Sequence, residues 1–341
     1  MGIFKAIGRY KLLKESKSSC FETQNAKILA EGIRKAVGDS ASEIRSLDIW
    51  IEKYVDVGKV NKLDRGETFK MFALTMLFQG GDAATNKVLQ QSQLDEFYPK
   101  KIEGRISNMN CGVIKDSISF RDCEYLKSKK ISKSALKKSI CHNSVNVSCP
   151  VKLIGHMVKH MKSSAIAKGV VSTYLLSKER WEGDINNIYR QAISNWDEKE
   201  AAKHLVYELT WPYNVSDKIA NMFCGWMTNP DVIPSIRAWR PGIDWTQFAT
   251  IDSLVIRTLN RMGLAPRNAT YYNYVYALRK IAEIVDLRKF GFERFNPLVV
   301  ETALWMLSRK ADNAMQKKDG PCLDTPNCSP CHASNGCKKD I

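Results

Sequence analysis

Four cysteines close to the C-terminus have the spacing of a metal-binding segment. Cys322, Cys328, Cys331 and Cys337 follow the pattern C-x5-C-x2-C-x5-C. Four thiolates so close in sequence can surround one compact centre, and cysteine is the usual ligand of a [4Fe–4S] cluster. A zinc knot is the first alternative, although zinc ribbons pair two C-x2-C units across a longer loop. Disulfides are the second, and they are typical of secreted chains. The spacing favours a [4Fe–4S] cluster.

The charge balance points to a polyanionic partner. Lysine and arginine outnumber aspartate and glutamate by 52 to 36, a formal net charge of +16. A surplus of this size favours nucleic acid as the partner, and a merely soluble basic protein is the alternative. The apolar fraction of 44% supports a folded core. No apolar run reaches the roughly 18 residues of a membrane span. The sequence also shows no secretory signal, so we expect a cytoplasmic protein with no membrane partner. With nucleic acid as its partner it would be nucleoid-associated, and we expect it to be a monomer.

The elements that must position these groups are predicted to be helices. Apolar residues recur at spacings of three and four in many windows, and strand-like alternation is rare, which predicts an all-α fold. Two helices are expected near the N-terminus, split by Gly38, Asp39 and Ser40. The predicted helices cover residues 25–38, 42–56, 67–78, 83–93, 184–209, 215–228, 251–263, 268–288 and 296–310.

Residues 98–180 differ in character from the rest of the chain. Six lysines and no acidic residue lie between Lys127 and Lys138. We interpret 98–180 as a basic insertion. Lys127, Lys129 and Lys130 could follow a phosphate backbone with salt-dependent affinity. The alternative is an ordinary solvated face.

Three segments upstream of the cysteines carry further candidate residues in a fixed order. The first, Phe69 to Val88, is an apolar helix followed by Gln79, Asp82, Asn86 and Lys87. The second, Pro212 to Met222, places Asn214, Val215 and Ser216 before Lys218 and Asn221. The third, Ile251 to Arg261, contains Asp252, Arg257, Asn260 and Arg261.

Together with the cysteines, these segments resemble the helix-hairpin-helix DNA glycosylases of the endonuclease III and MutY type, which carry an iron–sulfur cluster. The family has Gly-Val-Gly where this chain has Asn214, Val215 and Ser216. Asparagine tolerates left-handed backbone angles, so the turn can persist without the glycines. The chain also has Leu254 where the family has histidine, and its first cysteine gap is x5 where x6 is usual. The resemblance covers about 67–97 and 181–341.

The resemblance implies a two-lobed fold that ends in the cluster loop. Residues 1–66 would be N-terminal helices that pack on the cluster domain. Residues 67–97 and 181–265 would form a helical barrel with the hairpin, and 266–341 the C-terminal helices and the cluster. The implied partner is double-stranded DNA, with Gln79 as the wedge that replaces the expelled base. The other implied DNA contacts are Asn86, Lys87, Asn214, Val215, Ser216 and Arg257.

Two residues would carry the chemistry that the resemblance implies. A carboxylate beside C1′ stabilises the positive charge that builds on deoxyribose when an N-glycosidic bond breaks, and Asp252 is the candidate. Its other expected role, as a helix N-cap, is compatible with this one. Lys218 is the candidate amine for a Schiff base that permits strand scission. Alternatively, Lys218 is solvated or binds phosphate.

The expected function is therefore excision of a damaged or modified base, with abasic-site lyase activity. Oxidised pyrimidine is the default substrate, and a bulky modified base of the kind that phages carry would point to genome defence. Two other functions remain open. A DNA base-modifying transferase on the same fold would leave no abasic site, and a non-catalytic DNA-binding protein would not depend on Asp252.

Overall fold

The described part of the protein is entirely helical. The computed structural model describes residues 23–78, 95–107, 163–261, 263–266 and 269–313, and no strand occurs among them. None of its helices combines the length and the hydropathy that crossing a bilayer requires. The described α-helices are α1 (Thr23–Glu52), α2 (Val57–Asn61), α3 (Arg65–Leu77), α4 (Pro99–Ser107), α5 (Ser163–Arg180), α6 (Asn186–Asn195), α7 (Glu198–Leu209), α8 (Asp217–Thr228), α9 (Ser253–Arg261), α10 (Tyr271–Ile284) and α11 (Pro297–Asn313).

These helices form two compact units. Unit 1 joins the described residues up to Ser46 with those from Phe248 onward, and unit 2 is built from Leu47–Gln247. The first unit therefore draws on both ends of the described chain, whereas the second comes from its middle.

In unit 1, α1 is bonded to the end of α10 and to the segment between α10 and α11. The Arg34 guanidinium donates to the Ile284 carbonyl oxygen at 2.7 Å. The Arg45 guanidinium donates to the carbonyl oxygens of Phe290 and Gly291, at 2.8 and 3.2 Å. Helices α9, α10 and α11 pack against one another in the same unit.

The predicted break between helices 25–38 and 42–56 is wrong, because α1 runs without interruption through Gly38. A Cβ atom on Gly38 would lie 3.2 Å from the Phe290 ring. The glycine thus lets an aromatic side chain approach the helix closely and does not end it. Local sequence alone could not distinguish these two uses of glycine.

Unit 2 is organised around α3, whose residues from Glu67 to Leu77 are all buried. The helix begins at Asp64, whose Oδ1 accepts a hydrogen bond from the Glu67 amide at 2.9 Å. Phe69 packs edge-on against Tyr174 of α5, and Phe72 packs edge-on against Phe223 of α8. This agrees with the predicted helix at 67–78.

Residues 184–209, which the sequence predicts to be helical, contain two helices, α6 and α7. Asp197 caps α7 by accepting hydrogen bonds from the Lys199 and Glu200 amides at 3.0 and 2.9 Å. Helix α5, within the segment interpreted as an insertion, packs on α3 in the core of unit 2. The described ends of the 98–180 segment are therefore parts of unit 2.

The connector between α8 and α9 anchors itself in unit 2 through Trp239. Its side chain is fully buried, lies parallel to the Tyr189 ring at 5.8 Å between centroids, and meets Phe223 edge-on at 5.2 Å. The indole N–H donates to Asn186 Oδ1 at 3.0 Å. Trp239 is thus a core residue that joins the connector to α6 and α8.

Replacing Trp239 by alanine should lower the free energy of unfolding of unit 2 by about 3–5 kcal/mol, since it leaves a large cavity. Trp196 is 42% exposed and gives a matched control. Trp196→Ala should cost roughly 1 kcal/mol or less, because surface substitutions rarely cost more. Urea denaturation followed by far-ultraviolet circular dichroism measures both values. Equal losses in the two variants would contradict the assignment of Trp239 to the core.

Candidate nucleic-acid interface and catalytic residues

The segment between α7 and α8 is a tight turn with one left-handed residue. Asn214 has φ of 62°, a region that side chains other than glycine rarely adopt and that asparagine tolerates best. Val215 donates its amide to the Pro212 carbonyl oxygen at 3.4 Å, which closes the turn. The left-handed angle expected where the family has glycine is therefore present at Asn214.

Ser216 precedes α8 in the N-cap position, but its hydroxyl makes no capping hydrogen bond. The first turn of α8 thus receives no side-chain oxygen from Ser216. Amide groups at such a helix start, together with the positive end of the helix dipole, favour an anion. Asn214 and Ser216 are exposed, as a contact with a phosphate requires, whereas Val215 is buried and anchors the turn in unit 2.

Lys218 lies in the first turn of α8, two residues after Ser216, and its side chain is half-buried. Within the described residues its amine makes no hydrogen bond and no ion pair. Lys218 therefore lies in the helical turn that directly follows the exposed segment, and its amine has no carboxylate partner among those residues. One helix start thus contains four of the predicted site residues: Asn214, Val215, Ser216 and Lys218.

Helix α5 packs against the backbone of this turn at Tyr213. The Ser172 hydroxyl is fully buried and lies 3.2 Å from the carbonyl oxygens of both Tyr213 and Gly169, so it can donate its one hydrogen to either. A Cβ atom on Gly169 would lie 2.2 Å from Met76 Cε and 3.7 Å from the Tyr213 oxygen, so the missing side chain makes room for the turn. Sequence reasoning missed both residues, because they lie within the segment interpreted as an insertion.

Asp252 caps the N-terminus of α9. Its Oδ1 accepts from the amides of Leu254 and Val255, both at 2.9 Å, and its carbonyl oxygen accepts from the Ile256 amide at 2.9 Å. Its Oδ2 makes no hydrogen bond within the described residues. The side chain is partly exposed. One carboxylate oxygen therefore fixes the geometry while the other remains available.

Further along α9, the predicted residues serve different purposes. Arg257 is exposed and makes no ion pair in the described part of the chain, which suits a DNA contact. Asn260, oriented so that its amide nitrogen faces its neighbours, donates to the carbonyl oxygens of Ala265 and Pro266 at 3.1 and 3.3 Å. Asn260 thus fixes the chain where α9 ends. Gly263, with φ of 69°, completes that turn.

Aromatic side chains lie on α7 and on the residues that flank it, before the turn at Asn214. Trp211 is 36% exposed and is covered on one face by the Arg180 guanidinium, 5.0 Å from the ring centroid. Arg180 also pairs with the buried Glu208 at 3.1 Å, and burial raises the pKa of that carboxyl. The Trp196 ring stacks on His204 at 4.0 Å, where burial and the charge of Arg180 lower the histidine pKa to about 4. His204 is therefore neutral at pH 7 and acts as an aromatic surface.

The remaining predicted site residues lie outside the described residues. The described part of the chain contains no group of three or more histidine, cysteine or acidic side chains that could hold a metal. Its one cysteine, Cys224, is buried, and burial raises the pKa of the thiol. The undescribed candidates are Gln79, Asn86, Lys87, Lys127, Lys129, Lys130, Cys322, Cys328, Cys331 and Cys337.

Comparisons with protein-family models, with curated proteins and with solved structures find no match to this chain.

Two substitutions at Asn214 should separate backbone geometry from side-chain chemistry. Asn214→Gly keeps a residue that readily adopts the left-handed angle, so stability and DNA affinity should stay close to those of the parent. Asn214→Val should destabilise the protein by about 1–2 kcal/mol, since a β-branched side chain is strained at positive φ. Thermal unfolding and fluorescence anisotropy with a labelled duplex measure the two effects. If both variants lose affinity equally, the asparagine side chain and not the backbone angle carries the interaction.

Proposed function

We propose that this protein is a DNA glycosylase of the helix-hairpin-helix type that excises a damaged or modified base and carries a [4Fe–4S] cluster near its C-terminus. The observation that carries the proposal is the turn before α8, where a left-handed Asn214, an uncapped helix start and Lys218 lie together. Two further findings support it. The described fold is all-helical, and it divides into one unit from both ends of the described residues and one from their middle.

The turn before α8 would hold a DNA phosphate. Asn214 and Ser216 are exposed, a helix start favours an anion, and the chain carries a net charge of +16. Arg257 would add a second backbone contact from α9. Contacts of this kind position the duplex and do not read its sequence, so they suit an enzyme that searches for a rare altered base.

Asp252 would stabilise the transition state of base release. When the bond between C1′ and the base nitrogen breaks, its electron pair leaves with the base, and positive charge builds on the sugar. The Asp252 Oδ2, which makes no hydrogen bond in the described residues, is the oxygen that would face this charge. The two amides on Oδ1 would hold the carboxylate at a fixed orientation, which favours electrostatic stabilisation.

Lys218 would add the lyase step. After the base has left with the electron pair of the C1′–N bond, the uncharged amine would add its own electron pair to C1′. The proton that the amine then gives up passes to the ring oxygen as the bond between C1′ and that oxygen breaks, which leaves a protonated Schiff base at C1′. Loss of a proton from C2′ leads to β-elimination of the 3′ phosphate. Oxidised pyrimidine is the first substrate class to test. A bulky modified base of the phage type is the second and would place the protein in genome defence.

The four cysteines near the C-terminus would supply the ligands of the cluster. Four thiolates are the donor set that a [4Fe–4S] cluster requires, and the cluster would stabilise the loop that carries it. It takes no part in bond cleavage in this proposal, which assigns that chemistry to Asp252 and Lys218.

Borohydride trapping on a duplex with one abasic site should give a covalent complex with the parent and none with Lys218→Gln. Lys199→Gln, which removes an exposed lysine of α7, is the matched control and should trap normally. Asp252→Asn should also trap, because the base is already absent and asparagine still caps the helix. On a duplex with an intact target base, Asp252→Asn should lower the excision rate by roughly a hundredfold or more.

The outcomes distinguish the competing functions. Trapping that survives in Lys218→Gln would assign the Schiff base to another amine. If the parent protein with an intact cluster forms no covalent complex, the proposed lyase activity is wrong. If Asp252→Asn excises bases at the parental rate, the proposed catalytic role of Asp252 is wrong.

The purified protein should contain about four iron and four sulfide ions per chain, as [4Fe–4S] proteins do. It should also show a broad absorption band in the visible range. Cys328→Ser should lower the iron content markedly. Cys224→Ala removes the buried cysteine of α8 and should keep the iron, so it serves as the control. A colourless protein with one zinc ion per chain would show that the cysteines form a zinc knot and would contradict the proposed cluster.

A further inference from the structure

The residues directly before Asp252 form a buried stretch outside any helix. Phe248, Ala249, Thr250 and Ile251 are each no more than 6% exposed. No described strand pairs with this stretch. Buried backbone amides and carbonyls need hydrogen-bond partners, so these groups must find them elsewhere in the protein.

Tyr271 provides two of those partners. Its hydroxyl donates to the Ala249 carbonyl oxygen at 2.8 Å and accepts from the Ile251 amide at 3.2 Å. A phenol can donate one hydrogen bond while it accepts another, so a single atom satisfies both groups. Tyr271 is the first residue of α10, whose start is fixed by the Thr270 cap. The hydroxyl is therefore presented from a rigid position.

This contact controls the backbone from which Asp252 projects. Ile251 immediately precedes Asp252, and the Asp252 Oδ1 is held on its other side by the amides of Leu254 and Val255. We infer that Tyr271 is a positioning residue for Asp252: its hydroxyl fixes the peptide before the carboxylate and so sets the direction of Oδ2. This inference rests on the function proposed for Asp252.

The same helix offers a matched control. The Tyr274 hydroxyl, one turn further along α10, donates to the Pro266 carbonyl oxygen at 3.2 Å and lies 3.0 Å from the Asn260 amide. These partners are at the opposite end of α9 from Asp252. Tyr274→Phe therefore removes a hydroxyl with a comparable set of hydrogen bonds, without touching the stretch before Asp252.

The test compares Tyr271→Phe and Tyr274→Phe in the full-length, cluster-containing protein. Single-turnover excision is measured on a duplex with one thymine glycol, and affinity on a duplex with a tetrahydrofuran abasic analogue. Tyr271→Phe should lower the excision rate by roughly ten- to a hundredfold, as misplacement of a reacting group does. Its affinity for the abasic duplex should stay at the parental value. Tyr274→Phe should match the parent in both measurements.

Hydrogen exchange on the free protein provides a second readout that needs no substrate. Tyr271→Phe should speed exchange of the Ile251, Leu254 and Val255 amides, and Tyr274→Phe should not. Unchanged exchange in Tyr271→Phe would overturn the inference. If Asp252→Asn shows that excision by the parent depends on Asp252, an excision rate in Tyr271→Phe equal to that of the parent would overturn it too. If the parent excises no base from a panel of damaged duplexes, the proposed function fails instead. The positioning of Asp252 by Tyr271 is then judged by exchange alone.

Discussion

Backbone groups at the starts of two helices, one in each unit, are the constraint on which the positions of the two candidate residues depend. A helix leaves its first amides without partners inside the helix, and the chain that enters it must adopt a non-helical conformation. At α8 the entering chain uses the left-handed Asn214 and leaves the helix start uncapped by Ser216. At α9 the entering chain is buried, and Asp252 provides the cap. Both candidate catalytic residues lie at these starts, so their positions follow from how the entering chain is held.

Side chains distant in sequence hold both entering segments. In the described part of this helical fold, no strand ladder is present to pair with an extended segment, so hydroxyl groups take over that role. The Ser172 hydroxyl lies within hydrogen-bond distance of the Tyr213 carbonyl oxygen before α8, and Tyr271 bonds the backbone on both sides of Thr250 before α9. Each hydroxyl is carried by a helix of the same unit as the segment it supports. The geometry of each helix start is therefore as rigid as the packing of its own unit.

Features that depend on local sequence were predictable, and features that depend on packing were not. The helical periodicity predicted α3 and α8 within two residues, and the Ile-Asp-Ser sequence predicted the cap at Asp252. The predicted helix break at Gly38 is wrong because the role of this glycine is set by Phe290, which lies far along the chain. The roles of Ser172 and Tyr271 could not be inferred either. A serine or tyrosine in a helix gives no local sign of which distant carbonyl its hydroxyl will meet.

Capping and catalysis make compatible demands on Asp252. A cap requires one oxygen that accepts amide hydrogen bonds at the helix start, and the proposed chemistry requires a charged oxygen at a fixed place. A carboxylate has two oxygens, and here Oδ1 takes both amide bonds while Oδ2 takes none among the described residues. The ionised form of a carboxylate is the form that can stabilise positive charge on a sugar. An asparagine at this position could cap the helix equally well but could not supply the charge. The difference between aspartate and asparagine at residue 252 therefore separates a helix cap from a catalytic group.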